Sequence, residues 1–198
     1  MNKPDYNKKM KDEILCGGKG KTLLLHSCCG PCSTRCLEML KDIFEVTVYF
    51  YNPNITEAAE YEKRRREQVR LLEQTGWAKL IFGEYNPQEF FSAVRGLENE
   101  REGGKRCFTC YALRLESTAK CAKEGGYDYF CTTLSVSPHK NAAWINELGA
   151  RFSQQYGVRF LPSDFKKENG YLRSVELAQI YGLYRQNYCG CIFSDWTK

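Results

Sequence analysis

The chain has 198 residues, 42% hydrophobic and 27% charged, which is ordinary for a globular protein and enough for one domain with a full core. A net charge of +5 permits an anionic partner without demanding one, and no apolar run approaches a membrane span. The start, MNKPDYNKKMKDEILCGGKGK, has no apolar signal region, so the eleven cysteines are expected in the reducing cytoplasm, where clustered thiols bind metal or do redox chemistry.

TLLLHS (22–27) is short, apolar and soon followed by Gly30-Pro31, which predicts a buried strand entering a turn. Pro31 suits the first turn of a helix, and CSTRCLEMLKDI continues it with Cys36, Leu37 and Leu40. FEVTVYFY (44–51) is β-branched and aromatic and is stopped by Asn52-Pro53-Asn54. EAAEYEKRRREQVRLLEQTG is a charged helix ended by Gly76; its EKRRREQVR stretch (62–70) reads as a solvated basic face, with RNA contact as the alternative. AKLIFGEY is a third strand, and Pro87 opens the short helix PQEFFSAV. After the polar loop GLENEREGGKR comes a helix bearing Cys107, Cys110, Leu113 and Leu115. YDYFCTTLSVS (127–137) is a fourth strand, NAAWINELGARFSQQYG a helix, VRFLPSDF (158–165) a fifth strand and YLRSVELAQIYGLY the last helix, before the tail RQNYCGCIFSDWTK.

The alternation predicts an α/β fold: one domain over 21–198 with a mostly parallel sheet, right-handed crossovers and a Cys-Gly-Cys tail. Residues 1–20 are expected as an N-terminal arm, mobile or forming a short extra helix. In such sheets the active crevice lies beyond the carboxyl ends of the strands. Cys28 and Cys29, after the first strand, and TTLSVSPHKN, leaving the fourth, are therefore expected on one rim.

Seven cysteines fall in three groups: Cys28, Cys29 and Cys32; Cys107 and Cys110; Cys189 and Cys191. The scattered Cys16, Cys36, Cys121 and Cys131 read as small hydrophobes rather than ligands. Adjacent residues of a strand point to opposite faces, so Cys28 and Cys29 can share a site only where Gly30-Pro31 breaks the strand. Thiolate-only ligation suits structural zinc or an iron–sulfur cluster. Two features favour the cluster: the ligand pairs come from remote segments at the functional rim, and the vicinal pair at Cys189 and Cys191 has redox chemistry that zinc does not serve. A disulfide across a single glycine closes a tight ring and is easily reduced, which favours a redox-active dithiol over extra metal ligands. Cys32, a thiol at a helix N-terminus, is open between a further thiolate, a second-iron ligand, a proton donor and an ordinary cap-region thiol.

Lys140, between a strand end and a helix start, suits either an anionic substrate group or an ordinary helix cap, and Arg185 and Gln186 beside two tyrosines suit either a base or packing. His139 reads as a surface or capping residue. Neither G-x-x-x-x-G-K-[ST] nor G-x-G-x-x-G occurs.

Taken together, LLHSCCGPCS, RCFTCYALRL, TTLSVSPHKN and YRQNYCGCIFS resemble the cobalamin-independent epoxyqueuosine reductases, the QueH family, over nearly the whole chain after about Lys21. The resemblance implies a Rossmann-like fold similar to the adenine-nucleotide α-hydrolase-like group. SCCGPCS stands where that group has its nucleotide loop, which argues against ATP use. It implies the last step of queuosine biosynthesis: removal of the epoxide oxygen of epoxyqueuosine at the wobble position of tRNA, with electrons from an external donor. By position, Cys28, Cys29, Cys107 and Cys110 would hold a [4Fe-4S] cluster, a second iron near Cys32 stays open, and Cys189 and Cys191 would be the redox pair. The rival readings are an iron–sulfur tRNA thiolation enzyme, which needs the missing ATP loop, and a zinc-stapled RNA-binding module, which leaves Cys-Gly-Cys without a purpose.

Overall fold

The structure, a computed structural model, describes residues 4–194. The last four tail positions, 195–198, and the first three of the arm lie outside the described residues. The strands are β1 (Thr22–Ser27), β2 (Glu45–Phe50), β3 (Lys79–Phe82), β4 (Tyr129–Thr132) and β5 (Arg159–Phe160). The helices are α1 (Tyr6–Gly17), α2 (Gly30–Leu40), α3 (Ala58–Thr75), α4 (Pro87–Ala93), α5 (Lys105–Glu124), α6 (Ala142–Tyr156) and α7 (Gly170–Ile180).

All strand pairs are parallel, in the order β3-β2-β1-β4-β5. β1 is central, so both its faces need apolar cover. Leu23 and Leu25 face a core built with α1, α2, α3 and α7, while Leu24 faces one built with α5 and α6. Each fully buried leucine contributes about 1.5–3 kcal/mol. The chain runs outward through β2 and β3, then returns to the other side of β1 as β4. The strand order thus reverses between β1 and β4, and the crevice at that reversal is where sheets of this kind bind ligands.

Three expectations are corrected. The fourth strand ends at Thr132, whose hydroxyl accepts from Leu134 N at 3.1 Å and turns the chain into a 3-10 turn, Thr133–Val136. The fifth strand stops at Phe160 instead of running to Phe165; Leu161 still donates to Phe130 O at 3.0 Å, but Pro162 has no N–H to continue the ladder. Cys16, read as a small hydrophobe, is exposed. Of the two alternatives for the N-terminal arm, the helix is found. α1 buries Met10 in the main core, and Glu13 accepts from the Tyr129 hydroxyl at 3.1 Å. Among the described residues no helix is long and apolar enough to cross a membrane.

Candidate active site

β1 delivers Cys28 and Cys29 to the rim, and the backbone breaks there as the sequence demands. Cys29 is the extended residue before α2, and Pro31 sits in the first turn of that helix. Gly30 is required by close approach: a Cβ there would lie 2.8 Å from the Glu67 carbonyl oxygen of α3. The break brings the sulfurs of Cys28 and Cys29 to 3.8 Å. Cys32, one turn into α2, joins them, and all three sulfurs lie within 4.8 Å of one another. Thr133, leaving β4, places its hydroxyl 3.8 Å from the Cys28 sulfur, so the two strand ends do share one rim.

This triad is the one such set of histidine, cysteine or carboxylate ligands among the described residues, and it takes in Cys32 rather than Cys107 or Cys110. Cys107 nevertheless packs against the apolar cluster that contains Cys28 and Cys29. Cys110, one turn further along α5, lies in the adjoining cluster with Cys189, Cys191 and Phe193. The Cys107 sulfur accepts from Gly103 N at 3.2 Å. All eleven cysteines are free thiols.

The charges follow from burial and neighbours. Hydrogen bonds from Cys29 and Cys32 hold Cys28 well below the usual thiol range, favouring its thiolate. Cys32, which gives such a bond to Cys28, is raised, and burial pushes Cys29 up to about 12. Burial likewise raises Cys107, and Cys110 to about 11. At the other pair, the Cys191 thiol donates to Cys189 and lowers it to about 5, while Cys191 itself is raised. Two cations serve both groups. Arg114 of α5 is buried, donates to Cys110 O at 3.2 Å, and faces the thiolate-favouring Cys189 and Cys28. Lys140 is half-buried; burial opposes its charge, but Cys28, Cys189 and Cys32 outweigh that and raise it.

Gln186 reaches the triad, its amide donating to the Cys29 sulfur at 2.8 Å, whereas Arg185 lies 5.2 Å from the Tyr171 ring centroid on the exposed side. His139 is exposed, as read. Three residues that sequence reasoning missed are the buried Arg64, Arg106 and Arg114. Arg64 was assigned to a solvated basic face, yet it is 2% exposed and paired with Glu60 at 2.6 Å. The signal was present: Arg64 falls on the helical stripe of Tyr61, Gln68, Leu71 and Leu72, not on the polar face.

Comparison with known proteins gives a consistent result. The family model described as epoxyqueuosine reductase QueH matches residues 23–197. The chain is similar to the epoxyqueuosine reductase QueH of Staphylococcus epidermidis, 46% identical over 184 residues that cover 89% of this chain and 77% of that one. It is 45% identical to that of Streptococcus pyogenes over 87% of this chain and 70% of the relative. For the protein of Thermotoga maritima the identity is 40%, over 87% and 90%.

Proposed function

The chain belongs to the epoxyqueuosine reductase QueH family, and from that premise we propose that it reduces epoxyqueuosine in tRNA to queuosine, at the wobble position, in the cytoplasm. The observation that carries the chemical part of this reading is the buried thiol triad at the β1/β4 reversal, with Cys107 on the same apolar cluster and the Cys189–Cys191 pair beside Cys110. Buried, convergent thiols with one held as thiolate are a fitting donor set for a soft metal centre. Cys28, Cys29, Cys107 and Cys110 would hold a [4Fe-4S] cluster, with Cys32 available to a second iron. When bound, such a centre supplies single electrons and a Lewis-acidic iron for the epoxide oxygen.

The chain's own residues account for the rest. Converting an epoxide to an alkene and water takes two electrons and two protons. Oxidation of the Cys189 thiolate and the Cys191 thiol to a disulfide supplies both electrons and one proton, and solvent supplies the second proton, so one dithiol balances one turnover. An external electron donor then returns the disulfide to the dithiol. Lys140, facing both thiol groups, draws an anionic substrate group toward the rim. Arg185 and Gln186 contact the modified base.

The spacing of the triad also favours a second reading. Two thiolates on one tetrahedral zinc, with Zn–S of about 2.3 Å, lie roughly 3.8 Å apart, the separation found between Cys28 and Cys29. Anaerobic reconstitution with iron and sulfide, metal analysis and a visible spectrum separate the two. A brown protein that converts epoxyqueuosine-bearing tRNA to queuosine under a strong reductant, and loses both properties in Cys29→Ser and Cys110→Ser but not in Cys16→Ser, meets the proposal. A colourless, zinc-loaded protein without turnover rejects it.

A further inference from the structure

Residues 185–194, which carry the Cys-Gly-Cys sequence, contain no helix or strand. Their carbonyl groups therefore need partners from elsewhere in the fold. Two buried arginines supply them, one from each helical layer.

Arg64 of α3 donates from Nη1 to Cys189 O at 3.1 Å and from Nη2 to Tyr188 O at 3.2 Å. Its Nε donates to Glu60 Oε1 at 2.6 Å, and its guanidinium lies 4.9 Å from the Tyr188 ring centroid. Arg106 of α5 holds the other end: Nη2 donates to Phe193 O at 3.0 Å, with the guanidinium 5.0 Å from the Phe193 ring centroid. The Nη1 of Arg106 donates to Glu98 O at 2.8 Å and so ties the loop before α5 to the same point. Between the arginines, Thr56 N donates to Gly190 O at 3.1 Å and Asn54 Nδ2 to Cys189 O at 3.4 Å. Gly190 has φ +92°, and a Cβ there would meet Ile55 Cγ1 at 2.9 Å and Arg64 Nη1 at 3.1 Å. The turn is thus pressed directly against the guanidinium that holds it.

We propose that Arg64 and Arg106 are positioning residues that clamp the Cys189–Cys191 turn at its two ends and so hold the two thiols together at the rim. Neither arginine touches the reacting sulfurs through a charged hydrogen bond; each acts on the backbone that carries them. A guanidinium suits the task because its planar fork reaches two carbonyls at once and keeps its charge when buried. The inference rests on the dithiol reading given above.

The test is the equilibrium of the Cys189–Cys191 disulfide with glutathione in the full-length, metal-free chain, read by mass spectrometry of the peptide that contains both cysteines. It is paired with kcat and KM of the reconstituted enzyme on epoxyqueuosine-bearing tRNA. Arg106→Met is expected to lower the effective concentration of the pair, and kcat, about tenfold with KM unchanged, and Arg106→Lys to recover part of both. Arg64→Lys is expected to behave like Arg106→Lys. Gly190→Ala, which keeps both arginines and every buried charge, displaces the turn and is expected to match Arg106→Met, so it carries the test should Arg64→Lys fold poorly. Wild-type values of both readouts in Arg106→Met and Gly190→Ala overturn the clamp while leaving the dithiol reading standing. Full turnover in Cys189→Ser instead removes the dithiol reading, and the clamp's role falls with it.

Discussion

The Gln186 side-chain amide donates to the sulfur of Cys29 across 2.8 Å, although the two residues stand 157 positions apart. A donor on a metal-bound thiolate stabilises the reduced state of the centre it ligates. A hydrogen bond contributes about 1 kcal/mol, which corresponds to roughly 40 mV for a one-electron couple. Gln186→Leu is therefore expected to lower the midpoint potential of the reconstituted centre by about that amount, measured by an optical or paramagnetic redox titration. An unchanged potential would mean that the contact does not persist around the metal.

The two thiols of the C-terminal pair are unequal. Hydrogen bonding from Cys191 brings Cys189 down to about 5, and Cys191 is raised in exchange. In the reduced, metal-free protein Cys189 is then a thiolate at neutral pH, and alkylation requires the thiolate. Iodoacetamide should modify Cys189 more than about tenfold faster than Cys191 at pH 6.5. The Cys189 rate should stay nearly flat between pH 6 and 8 and fall as the pH drops through about 5. Preferential labelling of Cys191, or a rate that climbs steadily up to pH 8, would contradict the assignment.

His26 lies at the centre of the sheet, between the Thr132 hydroxyl at 2.9 Å from Nδ1 and the Tyr51 carbonyl at 3.0 Å from Nε2. The Tyr51 carbonyl only accepts, so the ring proton sits on Nε2, and Nδ1 of the neutral ring accepts from the Thr132 hydroxyl. Burial first, and the Arg114 charge second, lower the ring from 6.5 to about 3. The unfolded chain binds a proton below 6.5 that the folded chain refuses until about 3. Stability from this group is thus intact above that window and declines as the pH falls into it, with a limiting slope of about 1.4 kcal/mol per pH unit. Urea denaturation from pH 7 to 5 should show this decline, and His26→Gln should flatten it by nearly one proton. Parallel pH profiles in the two proteins would show that His26 is not the source.

Strand patterns and turn chemistry carried most of the architecture. TLLLHS followed by Gly30-Pro31 was legible because an apolar run and a proline at a helix start each have one simple reading. The ends of β4 and β5 were harder. Thr132 is β-branched and reads as strand, but its hydroxyl also caps the next turn, and that second role won. In VRFLPSDF the proline was a stop signal outweighed by the apolar residues around it. At the site, the cysteines and Gln186 were visible as motifs, while the supporting arginines were not. Composition assigns arginine to solvent, and a buried guanidinium is recognised only once the carbonyls that it serves are known.

The parallel sheet also determines when the thiols meet. β1 pairs on both sides through crossovers, and Cys29 finds Gln186 only after nearly the whole chain has been threaded around it. Such non-local pairing is slow to form, and until it does, all eleven sulfhydryls are open to mispairing with one another. Refolding from denaturant should therefore succeed under thiol reductant and fail in air, giving scrambled, inactive chains whose recovery depends on reduction rather than on further time.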